Sequence, residues 1–106
     1  MLNYAYMNLY ELMTPQEMGL QVAKRIQALR LQQNWTQATL AERSGVSLGS
    51  YRRFEQTGEI AFSSLLLVVT ALGRLSDFHA VFQPPSAQTL AELERLERPM
   101  RKRGQK

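Results

Sequence analysis

The sequence predicts an all-α fold: a compact bundle of about five helices, followed by a short C-terminal helix and a basic tail. Three observations support this prediction. Apolar residues recur at steps of three and four positions over most of the chain, which is the spacing of one helix face. Residues that commonly cap helix N-termini stand before several of these runs, and glycine follows several of them. A chain of 106 residues has the length of one domain with a modest core.

The sequence pattern divides the chain into four segments. We expect an N-terminal extension over 1–15, a main domain over 16–83, a linker with a short C-terminal helix over 84–97, and a basic, disordered tail over 98–106. The extension is rich in tyrosine, and its composition fits both a mobile arm and a short added helix. Its structure and role stay open at this point.

The main domain is predicted to begin with an amphipathic helix. Apolar side chains recur on one face from Gln16 to about Gln32. Asn34 is expected to end this helix, because asparagine tolerates the left-handed backbone that often follows a helix. Thr36 then has the position of an N-cap for a second helix that runs through Arg43.

The second and third helices are short and meet at a glycine. Trp35 before the cap and Leu40 inside the second helix are spaced for a hydrophobic staple, and Gly45 ends that helix. Ser47 caps the third helix, which is predicted over Leu48–Gln56. Two capped helices that share a three-residue turn containing glycine have the layout of a helix-turn-helix.

The third helix is predicted to have two different faces. Tyr51 and Phe54 are three residues apart, so they share the face that is expected to point into the core. Val46 and Tyr51 would repeat the hydrophobic staple. The positions left on the outward face are Leu48, Gly49, Ser50, Arg52 and Arg53.

The fourth helix, predicted over Ser63–Leu72 and ended by Gly73, is unusually apolar. Leu65–Val69 is an unbroken apolar run, whereas a surface helix normally shows a polar stripe. Either the helix is fully enclosed, or Leu67 and its neighbours meet a second subunit. We expect the second arrangement, a two-fold homodimer.

Two further short helices are predicted after Gly73. Ser76 is expected to cap the first of them, which carries the apolar residues Phe78, Val81 and Phe82. Two consecutive prolines then break the chain. Thr89 is expected to cap the last helix, which ends before Pro99.

Positive charge is concentrated in two parts of the chain. The formal net charge is +4, and residues 98–106 hold five basic side chains and no acid. Residues 20–53 hold one acid, Glu42, against six basic residues: Lys24, Arg25, Arg30, Arg43, Arg52 and Arg53. Basic patches of this kind commonly bind polyanions, although a solvated surface has the same composition.

Composition and motifs argue against several classes of protein. The chain has no cysteine and one histidine, which excludes disulfides and argues against a structural zinc site, so we expect neither metal nor cofactor. No Ser-His-Asp arrangement, HExxH or glycine-rich phosphate loop occurs, so no catalytic residues and no enzymatic activity are expected. The first residues do not resemble a signal peptide, and no apolar run could span a bilayer. The expected location is the cytoplasm.

The residues around the glycine turn resemble a known family. They are Thr36-Gln37-Ala38, Leu40-Ala41-Glu42, Ser44-Gly45-Val46-Ser47 and Phe54-Glu55, followed by Leu65-Leu66 and Ala71-Leu72-Gly73. This pattern is similar to the helix-turn-helix of the Xre family, the lambda-repressor-like DNA-binding domains, over about residues 20–82. That family usually has glycine two residues after the glutamate, whereas Gly58 follows Glu55 by three. The path of the chain after the third helix therefore stays open.

The resemblance implies a transcriptional repressor whose third helix lies in the major groove of double-stranded DNA. The candidate DNA-binding residues are Thr36, Gln37, Ser47, Leu48, Gly49, Ser50, Arg52 and Arg53. Small residues at the start of the third helix would let it approach the base edges. Arg53 is the candidate for bidentate contact with a guanine, Arg52 for a phosphate and Leu48 for a thymine methyl.

The second helix is expected to contribute contacts as well. The family often uses glutamine at the position of Gln37 to touch a phosphate or a base. Thr36 and Ser47 stand at helix N-termini, whose backbone N–H groups commonly bind phosphates. In a two-fold dimer, two recognition helices would read half-sites about 34 Å apart.

The layout of the whole chain resembles a more specific group. The compact domain is followed by Phe82-Gln83-Pro84-Pro85, a short helix of leucine, glutamate and arginine, and a basic end. This layout is similar to that of HipB-like antitoxins, which are encoded beside HipA-like kinases. It implies a protein that represses its own operon and binds a kinase toxin. A stand-alone Xre-type repressor without a toxin partner, and a protein-interaction module that no longer reads DNA, remain open alternatives.

Overall fold

The computed structural model describes residues 12–85 and 91–96, and all regular structure in this part of the chain is helical. Four α-helices come first: α1 (Pro15–Gln32), α2 (Gln37–Ser44), α3 (Leu48–Thr57) and α4 (Phe62–Ala71). A 3₁₀ helix (Leu75–Ala80) follows, and residues 91–96 form a further short helix, α5. The all-α prediction is therefore confirmed. Residues 1–11 of the tyrosine-rich extension, the expected cap at Thr89 and the basic tail over 98–106 lie outside the described residues.

Helix α1 begins at a capping box that the sequence prediction missed. The backbone N–H of Glu17 donates to the Thr14 hydroxyl at 3.1 Å, and the Thr14 N–H donates to the Glu17 carboxylate at 3.0 Å. Pro15 is the first helical residue, one position earlier than predicted, where its missing N–H costs nothing. The backbone hydrogen bond from Thr14 lowers the pKa of Glu17. Asn34 adopts a φ of 61° after α1, which confirms the predicted end.

The caps predicted for α2 and α3 are confirmed. The Thr36 hydroxyl accepts the N–H of Thr39 at 3.0 Å, and the Ser47 hydroxyl accepts the N–H of Ser50 at 3.2 Å. Gly45 ends α2 with a φ of 80°, a left-handed conformation that glycine adopts without strain. The two helices therefore meet at the predicted three-residue turn.

A close glycine contact fixes the end of α3. Gly58 follows Thr57 with a φ of 79°, and a Cβ atom at Gly58 would lie 2.5 Å from the carbonyl carbon of Gly19 in α1. Only glycine fits this position without a shift of backbone, because both the conformation and the space exclude a side chain. The additional residue between Glu55 and Gly58 is thus accommodated in α3, which runs through Thr57.

The core of the first unit lies between α1, α2, α3 and α4. The largest completely buried side chains are Leu40, Tyr51, Phe54 and Val68. Helix α3 packs against both α1 and α2, while α4 packs against α2. Helices α2 and α3 have eight and ten residues, and helices of this length are marginal in isolation. The burial of these apolar side chains is therefore their main source of stability.

Helix α4 starts at Phe62, one residue before the predicted start, and has no side-chain cap at Ala61. Val68 and Val69 are buried, but Leu67 is 49% exposed and Phe62 is 63% exposed. Of the two arrangements considered for this helix, full enclosure within the described chain is therefore excluded. In the described residues, no helix has the length and apolar character needed to cross a bilayer.

The chain divides into a unit that ends at Ser76 and a second unit that begins at Asp77. The short helix predicted after Gly73 is present as a 3₁₀ helix, but the predicted cap is wrong, because Ser76 lies inside this helix rather than before it. Such helices are usually short, since their i→i+3 hydrogen bonds have poorer geometry. Val81 and Phe82 lie beyond its end, and Phe82 has a φ of 56° and is 98% exposed.

Candidate nucleic-acid interface

Helix α3 presents two distinct faces. Tyr51 and Phe54 point into the core with 0% and 1% exposure, as predicted, and their ring centroids are 6.1 Å apart. The opposite face carries the candidate DNA-binding residues of this helix. Of these, Leu48 is half-buried, and the exposed ones are Gly49, Ser50, Arg52 and Arg53. The buried aromatic pair therefore determines which side of α3 faces outward.

The N-terminal ends of α2 and α3 contribute the remaining candidates. Thr36 and Ser47 are exposed, and each hydroxyl caps its own helix, as described above. The Ser47 hydroxyl also donates to the Ser50 hydroxyl at 2.8 Å. A side-chain cap satisfies only part of the first turn, so each helix end still presents backbone N–H groups of the kind that bind anions.

The two arginines of α3 differ in their surroundings. Arg53 Nη2 lies 2.7 Å from Glu59 Oε2, in an ion pair whose side chains are 68% and 58% exposed. Arg52 is exposed and forms no ion pair with any residue that the structure describes. The two arginines have the same formal charge, but a neighbouring carboxylate offsets the charge of Arg53 and none among the described residues offsets that of Arg52.

A groove runs beside the outward face of α3. Its volume is about 540 Å³, and it lies between α3 and the first turn of α4. The residues that line it are Ser50, Arg53, Gly58, Glu59, Ile60, Ala61 and Ser64. Arg53 and Glu59 are its two charged residues, so their ion pair lies at the edge of the candidate interface.

A buried ion pair behind α3 was not predicted from the sequence. Arg30 of α1 donates from Nε to Glu55 Oε2 at 2.8 Å and from Nη2 to Glu55 Oε1 at 3.1 Å. Its third nitrogen, Nη1, donates to the carbonyl oxygen of Trp35 at 2.7 Å. The exposed fractions of the two charged side chains are 8% and 5%. This fork-shaped contact joins α1 to α3 with two charge-assisted hydrogen bonds.

Two neutral side chains complete the cluster around Glu55. Gln37 Nε2 donates to Glu55 Oε1 at 2.8 Å, and the Tyr51 hydroxyl donates to Glu55 Oε2. Glu55 therefore connects Arg30 of α1, Gln37 at the start of α2, and its own helix. No buried side-chain nitrogen or oxygen among the described residues lacks a partner. Gln37 is predicted to bind DNA, but its side chain is half-buried and its amide nitrogen already donates a hydrogen bond to Glu55.

The cluster shifts the pKa values of its members in consistent directions. Burial acts to raise the pKa of Glu55, but hydrogen bonds from Arg30, Tyr51 and Gln37 outweigh it, so this pKa lies below its ordinary value. The hydrogen bond to Glu55 raises the pKa of Arg30. Burial, together with the hydrogen bond to Glu55, raises the pKa of Tyr51. Glu55 and Arg30 are both charged and Tyr51 is neutral near pH 7.

The structure removes Arg30 from the basic surface that the sequence predicted. The sequence places it in the basic region over residues 20–53, but the structure buries it and neutralises it with Glu55. The signal that identifies it is its spacing, because Arg30 follows the buried Ile26 by four residues on the inward face of α1. An arginine at such a position needs an acidic partner. Arg43 is also engaged, since its guanidinium carbon lies 4.5 Å from the centroid of the half-buried Trp35 ring.

Comparison with known proteins agrees with this geometry. Residues 26–77, about half of the chain, match the family model described as Helix-turn-helix. The matched segment contains α2, the glycine turn, α3 and α4, and it includes the whole outward face of α3. No curated protein and no solved structure showed significant similarity to the chain. Residues 26–77 are therefore a helix-turn-helix domain of the Xre, lambda-repressor-like type, the domain of DNA-binding regulators.

Proposed function

We propose that this protein is a sequence-specific repressor that binds the operator of its own operon through the outward face of α3. The observation that carries the proposal is the composition of that face. Small residues, Gly49 and Ser50, lie at its N-terminal end, and two exposed arginines follow within one turn. A helix with this arrangement can approach base edges closely and place guanidinium groups in the major groove.

The proposed contacts follow from the different surroundings of the side chains. Arg53 makes bidentate contact with a guanine, and Leu48 touches a thymine methyl. Arg52 has no ion pair among the described residues, so its charge is available to a phosphate. Gln37 and the helix ends at Thr36 and Ser47 add contacts to the DNA backbone. These roles divide the interface into base readout by α3 and positioning by the helix N-termini.

The proposed assembly is a homodimer in the cytoplasm, associated with the nucleoid through DNA. The exposed apolar side chains of α4, Leu67 and Phe62, support a contact between two copies through this helix. A two-fold arrangement would present two copies of α3 to successive major grooves, about 34 Å apart.

The proposed biological context is a toxin–antitoxin module in which the protein is the antitoxin of a HipA-like kinase. Its support is the layout of the chain, with the helix-turn-helix domain followed by two prolines, a short helix and a basic end. A kinase-like reading frame beside the gene, and co-purification of its product with this protein, would distinguish this role from that of a stand-alone repressor.

The central proposal is tested by binding to DNA from upstream of the gene. Labelled upstream and random duplexes of equal length are titrated with the wild type, Arg53→Ala, and the control Lys24→Ala, which removes an exposed positive charge from α1. We expect Arg53→Ala to weaken binding to the upstream duplex by about 1–3 kcal/mol and to change binding to the random duplex much less. Lys24→Ala should affect both duplexes alike.

Two results would contradict the proposal. If the wild type binds both duplexes with the same affinity, the protein does not read sequence. In that case a protein-interaction role for the domain becomes the better explanation. If the wild type discriminates between the duplexes but Arg53→Ala and Lys24→Ala behave alike, Arg53 does not supply the base contact.

A further inference from the structure

The Arg53–Glu59 ion pair lies on a fixed stretch of backbone. The hydroxyl of Thr57 donates to the carbonyl oxygen of Arg53 at 2.7 Å and accepts the N–H of Glu59 at 3.1 Å. Between them, Gly58 is held against α1 by its close contact with Gly19. The backbone that carries the Glu59 carboxylate is therefore tied both to the last turn of α3 and to α1.

The geometry of the pair leaves Arg53 able to bind a further group. A guanidinium has five N–H donors, and the contact with Glu59 involves one nitrogen, Nη2. The Arg53 side chain is 68% exposed and lines the groove, so its other donors are accessible to a ligand. Arg53 can thus contact a base edge while its orientation is still set by Glu59.

The charge of the pair has a separate consequence for phosphate binding. Non-specific affinity for DNA comes mainly from cationic side chains that replace counterions at phosphates. The Glu59 carboxylate lies 2.7 Å from the Arg53 guanidinium and offsets its charge, so Arg53 attracts a phosphate less strongly than an unpaired arginine would. Arg52, one position earlier, has no such acidic neighbour among the described residues.

We propose that Glu59 is a specificity-determining residue of the DNA interface, which orients the Arg53 guanidinium for a base edge and suppresses its attraction for phosphates. This inference rests on the proposed function, because it takes α3 as the helix that reads DNA. Glu59 is a positioning residue in this scheme, since it acts on DNA through Arg53.

The test compares two variants that remove one negative charge each. Glu59→Gln breaks the ion pair, whereas Glu42→Gln removes an exposed acid of α2 that has no ion pair among the described residues. Both are made in the full-length protein, alone and together with Arg53→Ala. Their affinities for the upstream and random duplexes are measured by fluorescence anisotropy at two salt concentrations, and their folding is checked by circular dichroism.

The expected result is a change of opposite sign on the two duplexes. Glu59→Gln should bind the random duplex about 2–5-fold more tightly than Glu42→Gln does, the range set by one exposed ion pair. Its affinity for the upstream duplex should fall, so that the ratio of the two affinities decreases. In the Arg53→Ala background, Glu59→Gln and Glu42→Gln should become equivalent.

Two outcomes overturn the inference while leaving the proposed function intact. One is a wild type that discriminates between the duplexes and a Glu59→Gln variant with the same ratio of affinities. The other is an effect of Glu59→Gln that persists in the Arg53→Ala background. A wild type that binds both duplexes alike overturns the proposed function first, and the specificity role of Glu59 with it.

Discussion

Glu55→Gln is the substitution that best tests how α3 is held. Glutamine keeps the volume of the side chain and one acceptor oxygen, but it removes the charge and places an amide group among the donors of Arg30, Gln37 and Tyr51. The guanidinium of Arg30, in a side chain 8% exposed, then lacks a counterion. A buried charge without a partner is among the most destabilising features that a single substitution can produce.

The magnitude follows from the burial of the pair. Removal of one partner from a buried ion pair typically costs about 3–5 kcal/mol. Glutamine still accepts one hydrogen bond, so we expect a loss in the free energy of unfolding of about 3 kcal/mol, near the lower end of that range. Domains of this size are stable by about 5–15 kcal/mol, and the variant should therefore stay folded but unfold at much lower denaturant concentration.

The assay is urea unfolding at pH 7, followed by circular dichroism, with Glu59→Gln as the matched control. The control makes the same chemical change in an exposed ion pair, where the expected cost is about 0–1 kcal/mol. If the two variants lose equal stability, or if Glu55→Gln loses less than about 1 kcal/mol, the reasoning about the buried pair is refuted.

Glu55→Gln should also change how the stability of the protein depends on pH. Because the pKa of Glu55 is lower in the folded state than its ordinary value of 4.5, the ionised carboxylate stabilises the fold above that value. This contribution is lost as pH falls from about 4.5 through the pKa of the folded state. Wild-type stability should decline over this acid range more steeply than that of Glu55→Gln. Parallel curves for the two proteins would assign the acid sensitivity to other groups.

Three other substitutions test the packing of the helices and the proposed dimer. Gly58→Ala should destabilise the domain by more than about 2 kcal/mol in urea unfolding, because the left-handed backbone alone costs about 1–2 kcal/mol and the new Cβ meets the backbone of Gly19. Gly49→Ala, in the first turn of α3 where nothing crowds a Cβ, should instead leave stability unchanged or raise it by up to about 0.5–1 kcal/mol, and equal effects at the two glycines would contradict the close contact. Leu67→Asp should convert the proposed dimer to a monomer in sedimentation velocity. An unchanged sedimentation coefficient for a dimeric wild type would place the interface elsewhere.

The elements that could be predicted from the sequence are those determined by local chemistry. Thr36 and Ser47 marked the starts of α2 and α3 correctly, and Gly45 marked the end of α2, because caps and left-handed glycines act within one turn of the chain. The face of α3 followed from the spacing of Tyr51 and Phe54 in the same way. The capping box of α1 was equally local, but residue 15 was assigned to the N-terminal extension, although Pro15 is the first helical residue.

The features that could not be predicted depend on contacts between distant residues. Arg30 and Glu55 are 25 positions apart, so neither residue indicates its partner without the packing of α1 on α3. The contact between Gly19 and Gly58 has the same origin. The start of the 3₁₀ helix was misplaced because Ser76 has the residue type of a cap, and composition does not distinguish a cap from the second position of a tight helix. The DNA-binding roles of the exposed residues stay predictions.

The two ion pairs of α3 affect different properties. The buried pair affects the position of the helix, and the exposed pair affects what the helix recognises. Glu55 is bound to Arg30 of α1 in a buried contact that helps to hold α3 in position. Arg53 is bound to Glu59 in an exposed contact that contributes little to stability but lies at the groove. Loss of the first pair should therefore lower the free energy of unfolding and leave the ratio of affinities for the two duplexes unchanged. Loss of the second should change the ratio of affinities in a protein that is still fully folded, so comparing Glu55→Gln with Glu59→Gln distinguishes a folding defect from a change in recognition.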